Sequence, residues 1–159
     1  MIVALGCDHA GFPLKSQVID YLKSLGITVL DYGCHSLEEV DFPDITRSVC
    51  LSIKNGEAER GLMICGTGVG ASIAANKFVG IRAAVCHDVH SAHQSVEHDD
   101  VNVMCIGAKI VGSWLAKDLI NTFILAEFST EEHFRRRVRK LHHLEIESAR
   151  ELQNKLSSS

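Results

Sequence analysis

The sequence has no pair of cysteines at the C-x-x-C spacing and no apolar run long enough to cross a membrane. Its six cysteines are scattered over 159 residues, which argues against a structural zinc site and against a compact disulfide framework. No apolar stretch approaches the ~20 residues of a membrane span, and no basic, apolar leader follows Met1. We therefore expect a soluble cytoplasmic protein without a membrane partner.

Excess positive charge is also missing. The net charge of −4 and the isoelectric point near 6.1 give no general attraction to nucleic acid, so we expect no such partner. The basic run from Arg135 to Lys140 is the local exception, and it is typical of a solvated helix face. The length suits one domain over residues 1–155, followed by a short frayed tail at 156–159.

Short apolar segments alternate with segments of helical spacing along the whole chain. Predicted strands lie at 2–6, 27–30, 61–64, 81–86 and 101–107, with helices between them and a long charged helix from Glu131 to about Lys155. The strands show little alternation of polar and apolar residues, which is typical of a parallel sheet covered on both faces. We predict a three-layer αβα fold with a five-stranded, Rossmann-like parallel sheet in the order 2-1-3-4-5 and an extra C-terminal helix.

One stretch, Ile64 to Ser72, combines a thiol with a glycine-rich loop. Cys65 directly precedes three glycines spaced two apart, and a helical segment follows. Glycines let such a loop turn with positive φ and bring backbone N–H groups close to a ligand, so the pattern favours an anion-binding loop with a thiol at its edge. A tight turn beside a merely buried cysteine explains the same residues about equally well.

The predicted topology adds a second loop to this place. In the 2-1-3-4-5 order, ligands bind at the carboxyl ends of strands one and three, where the order reverses. The loops that meet there are 7–11, with Asp8 and His9, and 65–70, with Cys65. We therefore expect a carboxylate, an imidazole and a thiol around one anion-binding loop.

Two other patterns are weaker. Gly66, Gly68 and Ala71 fit a permissive dinucleotide fingerprint, but they follow the third strand rather than the first, and pyrophosphate binding does not require the preceding cysteine. His87, His90 and His93 lie three apart and would share a helix face, yet no carboxylate or thiol is fixed to complete a metal shell. We expect no metal site there.

Six motifs together resemble type B ribose-5-phosphate isomerase, a family that includes galactose-6-phosphate isomerase subunits and allose-6-phosphate isomerases. In chain order, the motifs are Gly6-Cys7-Asp8-His9-Ala10-Gly11, Val40-Asp41-Phe42-Pro43-Asp44, Ile64-Cys65-Gly66-Thr67-Gly68-Val69-Gly70, Ile73-Ala74-Ala75-Asn76-Lys77, Gly80-Ile81-Arg82-Ala83-Ala84 and His98-Asp99-Asp100-Val101-Asn102. The resemblance implies a cofactor-free, metal-free interconversion of ribose 5-phosphate and ribulose 5-phosphate through an enediolate.

The resemblance also implies roles for individual residues. Cys65 would remove the C2 proton, His98 would open the sugar ring and Thr67 would assist proton movement. The implied substrate-binding residues are Asp8, His9, Gly66, Thr67, Gly68, Val69, Gly70, Asp99, Lys109, His133 and Arg137. Among them, Asp8 would bind sugar hydroxyls, and His9, Lys109 and Arg137 would lie near the phosphate.

Several positions depart from the family's usual pattern. Phe42 stands where a tyrosine is common, Asp99 replaces an asparagine and Lys109 replaces an arginine. His133 and Phe134 stand where the family has an arginine and a histidine, which leaves Arg137 as the surest cation on that helix. The alternatives are therefore a hexose 6-phosphate isomerase that uses the same residues and, in another class, a non-catalytic module that binds sugar phosphates or nucleotides.

The predicted strands separate the two main catalytic residues. His98 precedes the fifth strand and Cys65 follows the third, so they should lie at opposite edges of one sheet. We therefore expect a homodimer, or a dimer of dimers, with sites shared between subunits.

Overall fold

The computed structural model describes residues 1–158, in which five parallel strands alternate with helices. The strands are β1 (Ile2–Cys7), β2 (Thr28–Asp31), β3 (Arg60–Cys65), β4 (Ala83–Val85) and β5 (Val103–Gly107). The helices are α1 (Phe12–Ser24), α2 (Phe42–Lys54), α3 (Val69–Ala75), α4 (Val89–Asp99), α5 (Ser113–Leu125) and α6 (Glu132–Ser157). The predicted αβα class, with its additional C-terminal helix, is confirmed.

The order of the last two strands differs from the prediction. The sheet runs β2-β1-β3-β5-β4, so β5 lies beside β3 and β4 forms the edge. All five residues of β5 are buried, whereas β4 has three residues and all are half-buried. The longer, apolar strand takes the interior position because both of its faces and both of its edges are then covered. The predicted neighbours β1 and β3 are confirmed.

Alternate residues of the strands pack into two cores, one on each face of the sheet. Leu5, Ile64 and Met104 belong to the core that includes side chains of α1, α4 and α5. Cys65 and Cys105 belong to the other core, which includes side chains of α2 and α3. The side chain of Cys65 is therefore on the α2 and α3 face of the sheet.

The long helix α6 lies apart from both cores. It ends later than predicted, because Leu156 and Ser157 are still helical; Ser159 lies outside the described residues. None of the residues of α6 is buried. The Glu145 carboxylate accepts the Gly80 N–H at 3.0 Å and joins the middle of the helix to the turn before β4. No helix within residues 1–158 is both long and apolar enough to span a membrane.

Gly11 allows the loop after β1 to lie directly on β3. A Cβ atom at Gly11 would stand 2.0 Å from the carbonyl oxygen of Ile64. The loop is also joined to the strand by the Asp8 N–H, which donates to that oxygen at 3.2 Å. Gly11 is thus required for close backbone packing; its φ of −85° is available to any residue.

We predict that Gly11→Ala lowers the free energy of unfolding by about 1–3 kcal/mol more than Gly112→Ala, because the added methyl group must displace backbone. Gly112 is a matched control: both glycines are N-cap residues with ordinary φ, and a Cβ at Gly112 meets nothing within 4 Å. Urea unfolding followed by circular dichroism measures both losses. Equal losses would show that the loop moves away from β3 without cost.

Candidate active site

Cys65 ends β3, and its sulfur is held by the loop that follows. The Gly68 N–H donates to Cys65 Sγ at 2.9 Å, and Gly68 has a φ of +83° that favours glycine. Cys65 is 6% exposed, so the residue is almost fully covered by its surroundings. The hydrogen bond from Gly68 fixes the position of the sulfur at the carboxyl end of β3.

The same loop presents backbone donors that the protein itself does not use. Within residues 1–158, the N–H groups of Gly66, Thr67 and Gly70 donate no hydrogen bond. The Val69 N–H donates to Thr67 Oγ1 at 3.4 Å, and Thr67 is exposed at the loop surface. Several N–H groups around one thiol form a site for an oxyanion, because fixed donors stabilise negative charge.

Asp8 and His9 follow β1 and stand next to this loop, as expected. Asp8 is buried, and its Oδ1 accepts the Gly11 N–H at 2.9 Å, which fixes the carboxylate. His9 Nδ1 accepts the Val40 N–H at 3.3 Å, so the neutral ring carries its proton on Nε2. His9 therefore offers one donor to a bound ligand.

The end of β5 completes this group. The Lys109 N–H donates to the Gly66 carbonyl at 3.1 Å, and the Cδ of Lys109 lies 3.8 Å from the position of a Cβ at Gly66. The side chain of Lys109 is exposed and carries a positive charge to the edge of the loop. Asp8, His9, Lys109 and the segment Cys65–Gly70 are referred to below as the loop cluster.

Phe42 covers one side of the loop cluster. A Cβ at Gly70 would lie 2.8 Å from the Phe42 ring, so the ring rests on the glycine backbone. Phe42, Ile73 and Phe78 also line an open pocket of about 470 Å³ between α2 and α3. The phenyl ring gives this side of the loop an apolar surface without a hydroxyl group.

The remaining predicted residues gather around Phe134. The His98 ring stacks on Phe134 with centroids 3.8 Å apart and planes 16° apart, and His133 lies against the same ring at 3.9 Å. The Arg137 guanidinium lies 5.7 Å from the centroid of that ring. Asp99 follows His98 at the end of α4. These five residues are referred to below as the helix cluster.

The loop cluster lies at the carboxyl ends of the strands, and the helix cluster lies at their amino ends. Cys65 is in register with Gly107 at the carboxyl end of β5, whereas Gly61 is in register with Val103 at its amino end. His98 precedes Val103 by five residues and therefore lies near the amino ends of the strands. Four strand residues separate the two ends by about 13 Å. The predicted separation of Cys65 and His98 within one chain is confirmed.

Comparison with known proteins identifies the family. Residues 3–141 match the family model described as ribose/galactose isomerase. The chain is 44% identical to ribose-5-phosphate isomerase B of Escherichia coli over 134 residues, which are 84% of this chain and 90% of the relative. The chain belongs to the ribose/galactose isomerase family. The resemblance inferred from the motifs is confirmed.

Two further relatives of the chain bear on its fold and chemistry. The structure of Clostridium thermocellum ribose-5-phosphate isomerase B matches with a TM-score of 0.90 at 44% identity, covering 93% of this chain and 99% of that one. D-erythrulose-4-phosphate isomerase of Pectobacterium atrosepticum is 41% identical over 127 residues, which are 79% of this chain and 84% of the relative. The family thus contains proteins named for different sugar phosphates.

Three other thiols of the chain are poorly suited to acid-base chemistry. Burial raises the pKa of Cys7 to about 12, with a further contribution from Cys34, whose sulfur is 3.6 Å away. Burial raises the pKa of Cys50 to about 11 and also raises the pKa of Cys105. These thiols stay protonated at neutral pH and act as small core residues.

The sequence did not reveal two neighbours of His98. Phe134 appeared only as a departure from the family's histidine, although its ring supports His98. Glu97 Oε2 lies 3.6 Å from His98 Nε2 and 3.3 Å from His93 Nε2. The i to i+4 spacing of His93 and Glu97 could have indicated the contact between these two residues, which places Glu97 beside His98. Within residues 1–158, no group of three or more histidine, cysteine, aspartate or glutamate side chains is arranged so that it could hold a metal ion.

Proposed function

We propose that the chain interconverts ribose 5-phosphate and ribulose 5-phosphate, with the reacting carbons held over Cys65. The observation that carries the proposal is a thiol 2.9 Å from one loop amide, in a loop with three further amides that donate no hydrogen bond within residues 1–158. A C–H bond beside a carbonyl is only weakly acidic, so its ionisation needs a positioned base and donors where the oxyanion develops. The loop cluster offers both.

The proposed reaction moves one proton between neighbouring carbons. The Cys65 thiolate takes the C2 proton of the open-chain aldose, and the electron pair released forms the enediolate. The N–H groups of Gly66, Thr67 and Gly70, which donate no hydrogen bond within residues 1–158, would stabilise the enediolate oxygens; those of Gly68 and Val69 already donate to Cys65 Sγ and Thr67 Oγ1. Thr67 Oγ1 would assist the transfer of the hydroxyl proton from O2 to O1. The thiol then returns its proton to C1, which yields the ketose. Asp8, buried and fixed by the Gly11 N–H, binds sugar hydroxyls.

The phosphate requires cations at a distance from the reacting carbons. In the loop cluster, His9 provides a hydrogen-bond donor and Lys109 provides a positive charge. In the helix cluster, Arg137 provides a positive charge and His133 provides a donor. Asp99 would contact a hydroxyl of the sugar, and His98 would open the ring. These residues lie at opposite ends of the strands and are too far apart within one chain to bind one sugar phosphate. One complete site would therefore combine residues from two chains.

A homodimer, or a dimer of such dimers, is the simplest assembly that supplies both clusters. Exposed apolar side chains of α6, including Leu141, Leu144 and Leu152, line a groove of about 950 Å³ against the segment 76–84. Asp99 lines the same groove, so an occupant of the groove would approach the helix cluster. A two-fold axis would then pair each loop cluster with the partner's helix cluster and form two equivalent sites.

Six free cysteines support a location in the cytoplasm, because a reducing compartment keeps thiols unpaired.

Substrate choice is open to direct measurement. The relative named for D-erythrulose 4-phosphate favours that sugar phosphate as a second candidate. Purified protein should therefore be assayed with ribose 5-phosphate, D-erythrulose 4-phosphate and allose 6-phosphate. The proposal requires the highest kcat/KM with ribose 5-phosphate, and activity with none of the three would refute it.

We predict that Cys65→Ala lowers kcat by ~10²–10⁴-fold with little change in fold, because general-base catalysis typically contributes that factor. Cys65→Ser is the matched control for loop position, since its hydroxyl can still accept the Gly68 N–H while being a much weaker base. Both variants should be slow. Either variant with more than a tenth of the wild-type kcat would remove Cys65 from the role of base.

We predict that Arg137→Ala raises KM for ribose 5-phosphate and weakens inhibition by inorganic phosphate, because a charge-assisted contact is lost. Arg150 is a suitable control because it is an exposed arginine further along α6. Arg150→Ala should leave both values unchanged. Identical kinetics for the two variants would assign Arg137 to the solvated face, where its guanidinium lies 5.7 Å from the centroid of the Phe134 ring.

We predict that inactive chains complement each other. In a mixed dimer of Cys65→Ala and His98→Asn chains, one site carries both lesions and the other carries neither. Random exchange makes about half of the dimers mixed, with one intact site each, so roughly a quarter of the wild-type activity should return. Mass spectrometry verifies the mixed dimers. If such dimers form and remain as inactive as both parents, His98 acts within its own chain.

A further inference from the structure

The backbone ladder between β4 and β5 ends before the loop cluster is reached. Its last backbone bond joins the Cys86 N–H to the Cys105 carbonyl at 3.1 Å. The next N–H of β5 on that side belongs to Gly107, a buried residue. It donates instead to Nε2 of His87 at 2.9 Å. An imidazole nitrogen thus replaces the backbone acceptor that the short edge strand does not provide.

Gly107 lies directly beneath the anion-binding loop. A Cβ at Gly107 would stand 2.6 Å from the Cα of Thr67 and 2.9 Å from the carbonyl oxygen of Gly66. On the opposite side of β5, the Ala108 N–H donates to the Cys65 carbonyl at 2.8 Å. The end of β5 is therefore held between His87 and the loop, and a shift of Gly107 would move Gly66 and Thr67.

We propose that His87 is a positioning residue for the isomerase reaction, which fixes Gly107 and, through it, the oxyanion donors of Gly66 and Thr67. The hydrogen bond requires a ring whose Nε2 carries no proton, so the neutral ring carries its proton on Nδ1. His87 acts only through Gly107 and is placed in contact with neither sugar nor phosphate. The inference rests on the function proposed above.

The kinetic effect should appear in turnover more than in substrate binding. Oxyanion donors act when they lie 2.7–3.1 Å from the developing charge, and a displacement of about 1 Å can cost ~10²-fold in rate. Of the proposed phosphate ligands, Lys109 follows Gly107 by two residues, whereas His9, His133 and Arg137 belong to other elements and do not depend on Gly107. Loss of the His87 acceptor should therefore lower kcat by about tenfold or more and change KM by less than about threefold.

The experiment compares variants that keep or remove the acceptor. His87→Phe keeps a planar ring without an acceptor, and His87→Gln offers an amide oxygen in a comparable position. His90→Phe is the matched control, because His90 is an exposed histidine in the first turn of α4. Steady-state kinetics with ribose 5-phosphate and hydrogen exchange at the Gly107 amide are measured for each. We expect fast exchange of the Gly107 amide and a low kcat for His87→Phe. For His87→Gln and His90→Phe we expect exchange and kcat close to the wild-type values.

Two results would overturn the inference. In the first, His87→Phe exposes the Gly107 amide to exchange but keeps the wild-type kcat, so the contact is structural only. In the second, His87→Gln restores protection of Gly107 but not kcat, so His87 has another role. If His87→Phe does not fold, His87→Met is the second acceptor-free variant and is subject to the same criteria. Wild-type protein without isomerase activity would instead refute the proposed function itself.

Discussion

Close backbone contact between neighbouring loops is the constraint on which the site depends. The ends of β1, β3 and β5 approach so closely that Gly11 and Gly107 have no room for a side chain. The contacts are made by carbonyl and N–H groups of the loops themselves, including Lys109 to Gly66. Backbone held in this way has few alternative conformations, so the loop donors can be in place before substrate binds.

The sequence predicted that β1 and β3 are neighbours and that a polar loop and a glycine-rich loop follow them, because these signals are local. Glycines after a buried strand, together with polar residues at the end of another, indicate a ligand site in any parallel sheet whose first and third strands are neighbours. That neighbourhood does not depend on how the remaining strands are arranged. The exchange of β4 and β5 therefore left unchanged the prediction that the loops carrying Asp8, His9 and Cys65 follow neighbouring strands.

The remaining contacts depend on tertiary structure that spacing does not encode. Nothing in the apolar pattern shows that a three-residue strand goes to the edge, and only the exchanged order brings Lys109 beside Gly66. The stacking of His98 on Phe134 joins α4 to α6 over a separation of 36 residues. A pattern within one helix predicts which of its faces is apolar, but it does not identify the residue of another helix that covers that face.

The separation of the two clusters has a consequence for how the enzyme would be controlled. If each site needs His98 from one chain and Cys65 from another, an isolated chain is folded but incomplete, and activity depends on protein concentration around the dissociation constant of the dimer. The same helix, α6, carries Arg137 and the exposed leucines of the groove. Docking of that helix would therefore assemble the interface and place the phosphate ligand in one step. A change that loosens α6, such as loss of the Glu145 contact to Gly80, would weaken assembly and phosphate binding together while leaving the geometry around Cys65 unchanged.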